Sequence, residues 1–325
     1  MRPARTVTPV TRVAAIDCGT NSVRLLVADL PAGRGPLVDL TRRMEIVRLG
    51  EGVDRTGRLS PAAIARTRAA LVDYAGEIRR LGAQRVRMVA TSATRDAANA
   101  GEFTDLVGDV LGIAPEVVSG DEEARLSFTG AVRGLPGDAE PPYLVVDVGG
   151  GSTEMVVGHT GVERAVSVDV GCVRITERHL RGDPPRPEEV AAAEADVAAA
   201  VDRGLTAVAG PAEAAGARGR AGGTLIGLAG SVTTVAAITL GLPAYQPERI
   251  HHARIGYDAV AKVTDDLLRM TRAQRRALPV MHPGRADVIA AGAMIIRAVM
   301  ERAGAPRLLV SEHDILDGIA WSLQP

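Results

Sequence analysis

The chain has 325 residues, of which 46% are hydrophobic and 24% charged, and its formal net charge at pH 7 is −1. This length suits two domains, and the composition is that of an ordinary water-soluble globular protein. The balanced charge gives no electrostatic reason to expect a nucleic-acid partner. Two cysteines, Cys18 and Cys172, are too few for a disulfide framework, so we expect a cytoplasmic protein.

Two segments bear on targeting and on membranes. Residues 1–12 contain Arg and Pro but lack the apolar run of a signal peptide, so we expect a disordered extension. Residues 223–242 carry no charge, but their Thr, Ser and Gly content makes them too polar for a membrane span. We therefore expect no association with a membrane.

The first half of the chain alternates predicted strands and helices. Apolar runs predict strands near residues 13–17, 23–29, 37–49, 85–91 and 116–118. Ser60 as N-cap and Pro61 at the first helical position predict a helix that ends at Gly82. Two further helices are expected over residues 102–111 and from Asp121, as the cap, to about residue 132. Residues 134–142, rich in Pro and Gly, predict a linker after an N-terminal domain of residues 13–133.

The second half, residues 143–325, restarts the pattern and is expected to form a C-terminal domain. Strands are predicted near residues 143–147, 153–158, 162–168, 224–228 and 307–310. Helices are predicted near residues 173–181, 187–208, 231–240, 258–269, 272–278, 285–303 and 313–323, and a loop of small residues at 210–223. Two similar halves of mixed strands and helices predict α/β domains with helices flanking each sheet.

One motif occurs twice, in residues 16–27 and 146–157. Both copies have an apolar run, an Asp, a Gly two residues later, a Ser five residues after the Asp, and a second apolar run. The aligned pairs are Asp17 with Asp147, Gly19 with Gly149, and Ser22 with Ser152. The motif predicts a strand, a tight turn and a strand, in which Gly lets backbone N–H groups approach an anion and the Asp serves the Mg²⁺ that accompanies phosphate. A single copy is usually only a turn, but the duplication favours two turns that face each other and hold one phosphate-rich ligand.

Residues 90–96 follow a predicted strand and carry hydroxyl groups and a cation. Thr91 and Ser92 with helix N-terminal N–H groups are suited to an anion pocket, and Arg95 to a bidentate clamp on a phosphate. The alternative is an ordinary helix cap beside a surface arginine.

Residues 119–125 place three acidic residues in a first helical turn. Acidic residues there stabilise the helix dipole, but three exceed that need. One carboxylate aimed at a phosphate cleft is suited to activate water as a general base, and the sequence alone does not separate Glu122 from Glu123. Residues 227–234 form a further Gly turn before a helix, whose role stays open between a nucleotide, a phosphate and no ligand. For His282 we expect a structural or rim role.

The chain resembles the exopolyphosphatase and guanosine pentaphosphate phosphohydrolase family, in its short, two-domain actinobacterial type. The segments that carry the resemblance are residues 17–22, 48–52, 90–96, 119–125, 147–154, 171–177 and 283–287. That family belongs to the actin-like ATPase and sugar kinase superfamily. The resemblance implies an α/β fold of two related ribonuclease H-like domains, with the active site in the interdomain cleft and the last helix packed back on the first domain.

The resemblance also implies a role for individual residues. Glu123, just before Ala124 and Arg125, matches the catalytic base, and Asp17, Asp147 and Glu154 match metal-associated carboxylates for Mg²⁺ or Mn²⁺. The implied phosphate-binding positions are Gly19, Thr20, Asn21, Ser22, Thr91, Ser92, Arg95, Gly149, Gly150, Gly151, Ser152 and Thr153.

The implied reaction is metal-assisted attack of water on the terminal phosphoryl group of inorganic polyphosphate, in a cytoplasmic homodimer. Hydrolysis of guanosine pentaphosphate at the same site is the nearest alternative. An ATP-dependent small-molecule kinase is disfavoured by the acidic cluster, and a non-catalytic binder of phosphate-rich ligands by the intact carboxylates. The chain departs from longer relatives by lacking their C-terminal helical domains, which is expected to shorten its grip on polyphosphate. It also has Asp317 where many relatives carry an Arg-Glu pair.

Overall fold

The computed structural model describes residues 10–33, 35–209 and 223–324. The first sheet has the order β3-β2-β1-β4-β5 and comprises β1 (Val10–Cys18), β2 (Ser22–Pro31), β3 (Val38–Ile46), β4 (Arg85–Ala90) and β5 (Glu116–Val117). The second has the order β10-β11-β9-β6-β7-β8 and comprises β6 (Tyr143–Val148), β7 (Thr153–Gly158), β8 (Val162–Val168), β9 (Thr224–Leu228), β10 (Arg254–Gly256) and β11 (Arg307–Val310).

The two sheets share a topology, as the duplicated motif predicts. In the first, β1 pairs antiparallel with β2 and parallel with β4. In the second, β6 pairs antiparallel with β7 and parallel with β9. Each repeated motif therefore lies where a central strand turns back into its antiparallel neighbour.

Helices connect and cover these sheets. In the first half they are α1 (Val53–Thr56), α2 (Pro61–Leu81), α3 (Ser92–Arg95), α4 (Ala100–Leu111) and α5 (Gly120–Val132). In the second half they are α6 (Cys172–His179), α7 (Pro187–Val208), α8 (Ala229–Thr239), α9 (Pro247–Ile250), α10 (Tyr257–Arg269), α11 (Arg272–Arg276), α12 (Ile289–Arg302) and α13 (Ile315–Ser322). None of the helices in the described ranges is long and apolar enough to cross a bilayer.

Local capping explains where the best-predicted helix begins and ends. Ser60 Oγ accepts a hydrogen bond from the Ala63 N–H at 3.2 Å, and Pro61 occupies the first helical position of α2. Gly82 follows with φ +71°, a left-handed conformation that glycine adopts without strain. The predicted limits of this helix are confirmed.

Other predicted limits were wrong. Strand β1 begins at Val10, so residues 10–12 pair with β2 and do not belong to an extension, while residues 1–9 lie outside the described ranges. The cap of α5 is Ser119, whose Oγ accepts from the Glu122 N–H at 3.2 Å, and not Asp121. The predicted helix over 285–303 is a 3₁₀ turn, Pro283–Arg285, followed by α12.

Four short elements were missed: α1, α3, α9 and β10 have three or four residues each, too few for a periodic pattern to reveal. Most of the predicted loop at 210–223 lies outside the described residues.

Two helices cross between the sheets. Helix α5 packs Ala124, Phe128 and Ala131 on the second sheet, whereas α13 packs apolar side chains on the first. The helices cross closely at Gly130 and Gly318, which have no side chains. A Cβ atom at Gly130 would overlap the Asp314 carbonyl, and one at Gly318 would overlap the Leu126 carbonyl. The crossing of α5 and α13 joins the two halves of the molecule. The domain limits at residues 133 and 143 stay a prediction.

Candidate active site

The two repeated motifs form turns with the same backbone closure. In the first turn, residues 19–22, the Gly19 N–H donates to the Ser22 carbonyl at 3.0 Å. In the second turn, residues 149–152, the Gly149 N–H donates to the Ser152 carbonyl at 3.0 Å. The duplication in sequence is thus a duplication in hydrogen bonding.

The two turns contact each other across the cleft. A Cβ atom at Gly150 would lie 2.9 Å from Thr20 Cβ, and one at Gly151 would lie 2.7 Å from Ser92 Oγ. Thr20 and Ser92 join their hydroxyl groups at 2.9 Å. Glycine is required in the second turn because the first turn occupies the space of any side chain.

A cleft of ≈ 90 Å³ opens between the turns. Twelve of the sixteen predicted site residues line it: Asp17, Gly19, Thr20, Asn21, Ser22, Thr91, Ser92, Glu123, Asp147, Gly149, Gly150 and Ser152. The hydroxyl groups of the 90–96 segment and the α5 carboxylate therefore meet the two turns in space.

Four predicted site residues lie outside this lining. Arg95 donates to Glu123 Oε2 at 3.1 Å and to the Val118 carbonyl at 2.9 Å, so its guanidinium holds the acidic side chain. Thr153 Oγ1 donates to the Val170 carbonyl, and Gly151 lies against Thr20 and Ser92. Glu154 is buried behind the cleft, where it accepts from Ser167 Oγ at 2.7 Å.

The structure distinguishes the two adjacent glutamates. Glu123 is 8% exposed and lines the cleft, while the side chain of Glu122 is 43% exposed and lies 3.7 Å from Arg87. Burial and then the negative charge of Glu154 raise the pKa of Glu123 well above its usual value, against the lowering effect of Arg95. A buried carboxylate with a raised pKa at the end of a phosphate-sized cleft is suited to accept a proton.

Carboxylates on the second-turn side have hydroxyl partners. Asp147 Oδ2 accepts from Ser127 Oγ at 2.7 Å. Burial, followed by the charge of Glu154, raises the pKa of Asp147 to about 7, and burial also raises that of Glu154.

Asp17, on the first-turn side, has a cation. Arg24 donates to Asp17 Oδ2 at 3.0 Å through Nε and at 2.6 Å through Nη2, and also pairs with Asp314. Burial raises the pKa of Asp17 against the opposing effect of Arg24.

Two of the three predicted metal-associated carboxylates fit a cation that arrives with phosphate. In the described part of the chain, no group of three or more His, Cys, Asp or Glu side chains is arranged as a metal site. Magnesium, however, commonly takes one or two carboxylates and completes its shell with water and phosphate oxygens. Asp17 and Asp147 both line the cleft, and Asp17 Oδ1 is buried with no hydrogen-bond partner among the described residues. Glu154 lies behind this pair.

Sequence reasoning missed two cleft arginines, Arg24 and Arg285. Arg285 donates to Thr234 Oγ1 at 3.2 Å, and its guanidinium packs so closely on Gly230 that a Cβ there would overlap it. It forms no salt bridge with any residue in the described ranges. The signal available was its place in the 283–287 motif, to which no role was given.

A second cavity of ≈ 480 Å³ adjoins the cleft and shares Arg24, Gly230 and Arg285 with it. Its wall includes Met44, Tyr245, Met281 and Pro283. The segment 227–234, whose role the sequence left open, supplies the boundary between the two spaces through Ala229 and Gly230. His282 stands at the rim, where its Nδ1 accepts from the Gly284 N–H at 3.1 Å.

Comparison with known proteins finds relatives along nearly the whole chain. The model of the Ppx/GppA phosphatase family matches residues 26–323. Exopolyphosphatase 2 of Mycobacterium tuberculosis is 52% identical, over 97% of this chain and 99% of that protein. The crystal structure of an exopolyphosphatase-like protein superposes with a TM-score of 0.88 at 41% identity, covering 97% of this chain and 99% of that one. A Ppx/GppA family member from Aquifex aeolicus superposes with a TM-score of 0.76 at 32% identity, covering 97% of each chain.

These similarities extend over nearly the whole chain. The fold is the actin-like two-domain fold that the sequence predicts, with the two turns at the junction of its halves. The chain belongs to the Ppx/GppA phosphatase family.

Proposed function

We propose that the protein is an exopolyphosphatase that releases orthophosphate from the end of inorganic polyphosphate. The relative that is 52% identical over nearly its full length bears the name exopolyphosphatase. The observation that carries the proposal is the position of Glu123, buried at the end of a cleft formed by two facing Gly turns. The cleft volume of ≈ 90 Å³ suits a phosphoryl group with its attacking water.

The proposed mechanism uses the two turns for binding and Glu123 for proton transfer. Backbone N–H groups of both turns, with the hydroxyl groups of Thr20 and Ser92, bind the oxygens of the terminal phosphoryl group. Glu123 orients a water for in-line attack and accepts its proton, while the shortened polyphosphate leaves. Arg95 holds the Glu123 carboxylate in position at 3.1 Å.

The proposed cofactor is Mg²⁺ or Mn²⁺, held by Asp17 and Asp147 together with phosphate and water oxygens. When bound, such a cation neutralises charge on the phosphate oxygens. Asp17 and Asp147 then present oxygens from opposite turns, so that both halves hold the same ligand. Glu154 acts from behind, through its negative charge on Asp147 and Glu123. We further propose a cytoplasmic homodimer, from the family resemblance.

Guanosine pentaphosphate is the second candidate substrate, and one observation favours it. The ≈ 480 Å³ cavity adjoins the phosphate cleft and has an aromatic and thioether wall that suits a purine base. The same Glu123 chemistry would release its terminal phosphate. Tyr245 and Met281 are the residues to test, because they face this cavity and lie outside the phosphate cleft.

Phosphate release by the purified protein tests both candidates. Long polyphosphate, tripolyphosphate, guanosine pentaphosphate and ATP are compared with Mg²⁺ and with Mn²⁺. The wild-type protein is expected to release phosphate from polyphosphate, and Glu123→Gln is expected to lose this activity. Release from guanosine pentaphosphate alone, weakened by Tyr245→Ala, would move the function to that nucleotide. Silence on all four would refute hydrolysis and leave a kinase or a binding protein.

A further inference from the structure

We infer that Arg174 is a positioning residue, which holds the second turn in its anion-binding conformation by anchoring it to the other half of the molecule. The inference deepens the proposed function and rests on it for the identity of the ligand. Arg174 lies on α6, in the 171–177 motif that carries part of the family resemblance. Its side chain is 12% exposed, and it is absent from the lining of the phosphate cleft.

Helix α6 begins directly against the second turn. The N–H of Cys172 donates to the Gly149 carbonyl at 3.0 Å, and that of Val173 donates to the Gly150 carbonyl at 2.9 Å. Gly171 makes this approach possible, because a Cβ there would overlap the Gly150 carbonyl. Two carbonyls of the turn therefore point to the helix.

The third carbonyl of the turn is held by a side chain. Arg174 Nε donates to the Gly151 carbonyl at 2.7 Å. In a trans peptide the C=O and the following N–H point in opposite directions, so the N–H groups of residues 150–152 point away from α6. Within the described ranges, these three N–H groups have no protein acceptor, and they remain free for an anion.

The other two nitrogens of the Arg174 guanidinium bind the first half of the molecule. Nη1 pairs with Asp54 of α1, and Nη2 pairs with Asp96, which ends α3, at 2.6 Å. Helix α3 begins at Ser92 of the cleft, so one guanidinium connects the second turn to the segment that carries Thr91 and Ser92. The Gly151 peptide is fixed in this orientation only while the two halves hold Arg174 between them.

Arg178 provides the matched control. It also joins α6 to Asp54, at 2.7 and 2.8 Å, but among its hydrogen bonds in the described part of the chain none goes to the second turn. Lysine in either position keeps the positive charge but replaces the rigid planar fork of three nitrogens with a single nitrogen on a flexible stem. Only Arg174→Lys therefore loses both the bond to Gly151 and the fork that connects the halves.

The experiment measures binding and turnover separately. In the Glu123→Gln background, the affinity for tripolyphosphate and for orthophosphate is determined by calorimetry; in the Glu123 background, kcat and KM are determined on polyphosphate. Arg174→Lys is expected to weaken tripolyphosphate binding and kcat/KM by about 10- to 100-fold, the loss of a hydrogen bond to a charged group. Arg178→Lys is expected to change the tripolyphosphate affinity and kcat/KM by less than about threefold each. The two lysine variants are expected to have similar melting temperatures.

Equal losses in the two lysine variants would overturn the inference, because Arg174 would then only join the halves. If Arg174→Lys does not fold, Asp96→Asn carries the test, with an expected loss of about tenfold in tripolyphosphate affinity, against less than about threefold in Arg178→Lys. Absence of polyphosphate hydrolysis by the wild-type protein would refute the proposed function, while the binding series would still decide the role of Arg174. Absence of both binding and hydrolysis would overturn both.

Discussion

The two turns share a backbone frame and differ in what supports their carbonyl groups. In the first turn, the Thr20 carbonyl accepts from the Gly50 N–H at 2.8 Å, and the Asn21 carbonyl accepts from the N–H groups of Val47 and Arg48. In the second turn, the corresponding carbonyl of Gly151 accepts from the side chain of Arg174. A backbone contact within one half is present whenever that half is folded, whereas the Arg174 contact also depends on the position of the other half. The first turn is therefore supported within its own half, whereas the side chain that supports Gly151 in the second also pairs with the other half.

The partners of the carboxylates beside the two turns also differ. Asp17, beside the first turn, is bound by Arg24, while Asp147 and Glu154, beside the second, are bound by the hydroxyl groups of Ser127 and Ser167. Burial raises the pKa of Asp17, Asp147 and Glu154 alike, and the charge of Glu154 raises that of Asp147 further, to about 7. The second side therefore carries carboxylates whose hydrogen-bond partners are neutral hydroxyl groups, next to Glu123, and is where proton transfer is expected.

Replacing the proposed base has the largest expected effect. Glu123→Gln removes the proton acceptor without changing the size of the side chain, and kcat is expected to fall about 10³-fold. Glu122→Gln, one residue away and solvent-exposed, is the matched control and is expected to retain activity within about twofold. Phosphate release on polyphosphate measures both. Near-wild-type turnover by Glu123→Gln would remove the proposed base and the assignment of chemistry to the second side.

Paired glycine substitutions test the supports of the two turns. Gly171→Ala places a methyl group on backbone atoms of residues 150 and 151, so the second turn must shift, and kcat/KM is expected to fall about 100-fold. Gly50→Ala meets the Thr20 methyl and Ala93 Cβ, which are side-chain atoms, and a loss of less than about tenfold is expected. The order of the two losses is read from steady-state kinetics. A larger loss in Gly50→Ala would mean that the first turn is the less tolerant one.

Much of this site followed from the sequence because its signal is local. A strand, a tight turn and a strand are encoded in twelve consecutive residues, and the copy at residues 146–157 confirms the copy at 16–27. Repetition at equal spacing also gave the matching topology of the two sheets. The hydroxyl groups at 91 and 92 were found since they directly follow an apolar strand.

The parts that the sequence missed depend on contacts between distant segments. Arg95 was expected to bind phosphate, but the fold places Glu123 within 3.1 Å of it. Arg174 and Arg285 gave no signal of their own, as their partners are 78 and 51 residues away at Asp96 and Thr234. Asp317, a departure from many relatives, is explained only by the fold: it accepts from the Asp314 N–H at the start of α13 and pairs with Arg42.

The smallest expected effect is on stability, and it has a defined dependence on pH. At a pH well below about 4, the carboxyl group of Asp147 is protonated in the folded and unfolded chain alike. Between pH of about 4 and the raised pKa of Asp147, about 7, this carboxyl is ionised in the unfolded chain but keeps its proton in the folded one. The free energy of unfolding therefore falls as the pH rises through this range. Glu123→Gln removes one of the negative charges that lie close together. Its free energy of unfolding is expected to exceed that of the wild type by about 1 kcal/mol at pH 8 and to equal it at pH 4.

Urea unfolding with EDTA at both pH values measures this difference, since a bound cation would neutralise the same charges. Glu122→Gln is again the control, and its exposed position predicts no such pH-dependent gain. A loss of stability in Glu123→Gln at pH 8 would show that the Arg95–Glu123 pair outweighs the repulsion from Glu154 and Asp147. A gain confined to high pH would instead show that the second side of the cleft holds its carboxylates at a cost in stability, a cost that Arg24 reduces for Asp17 on the first side.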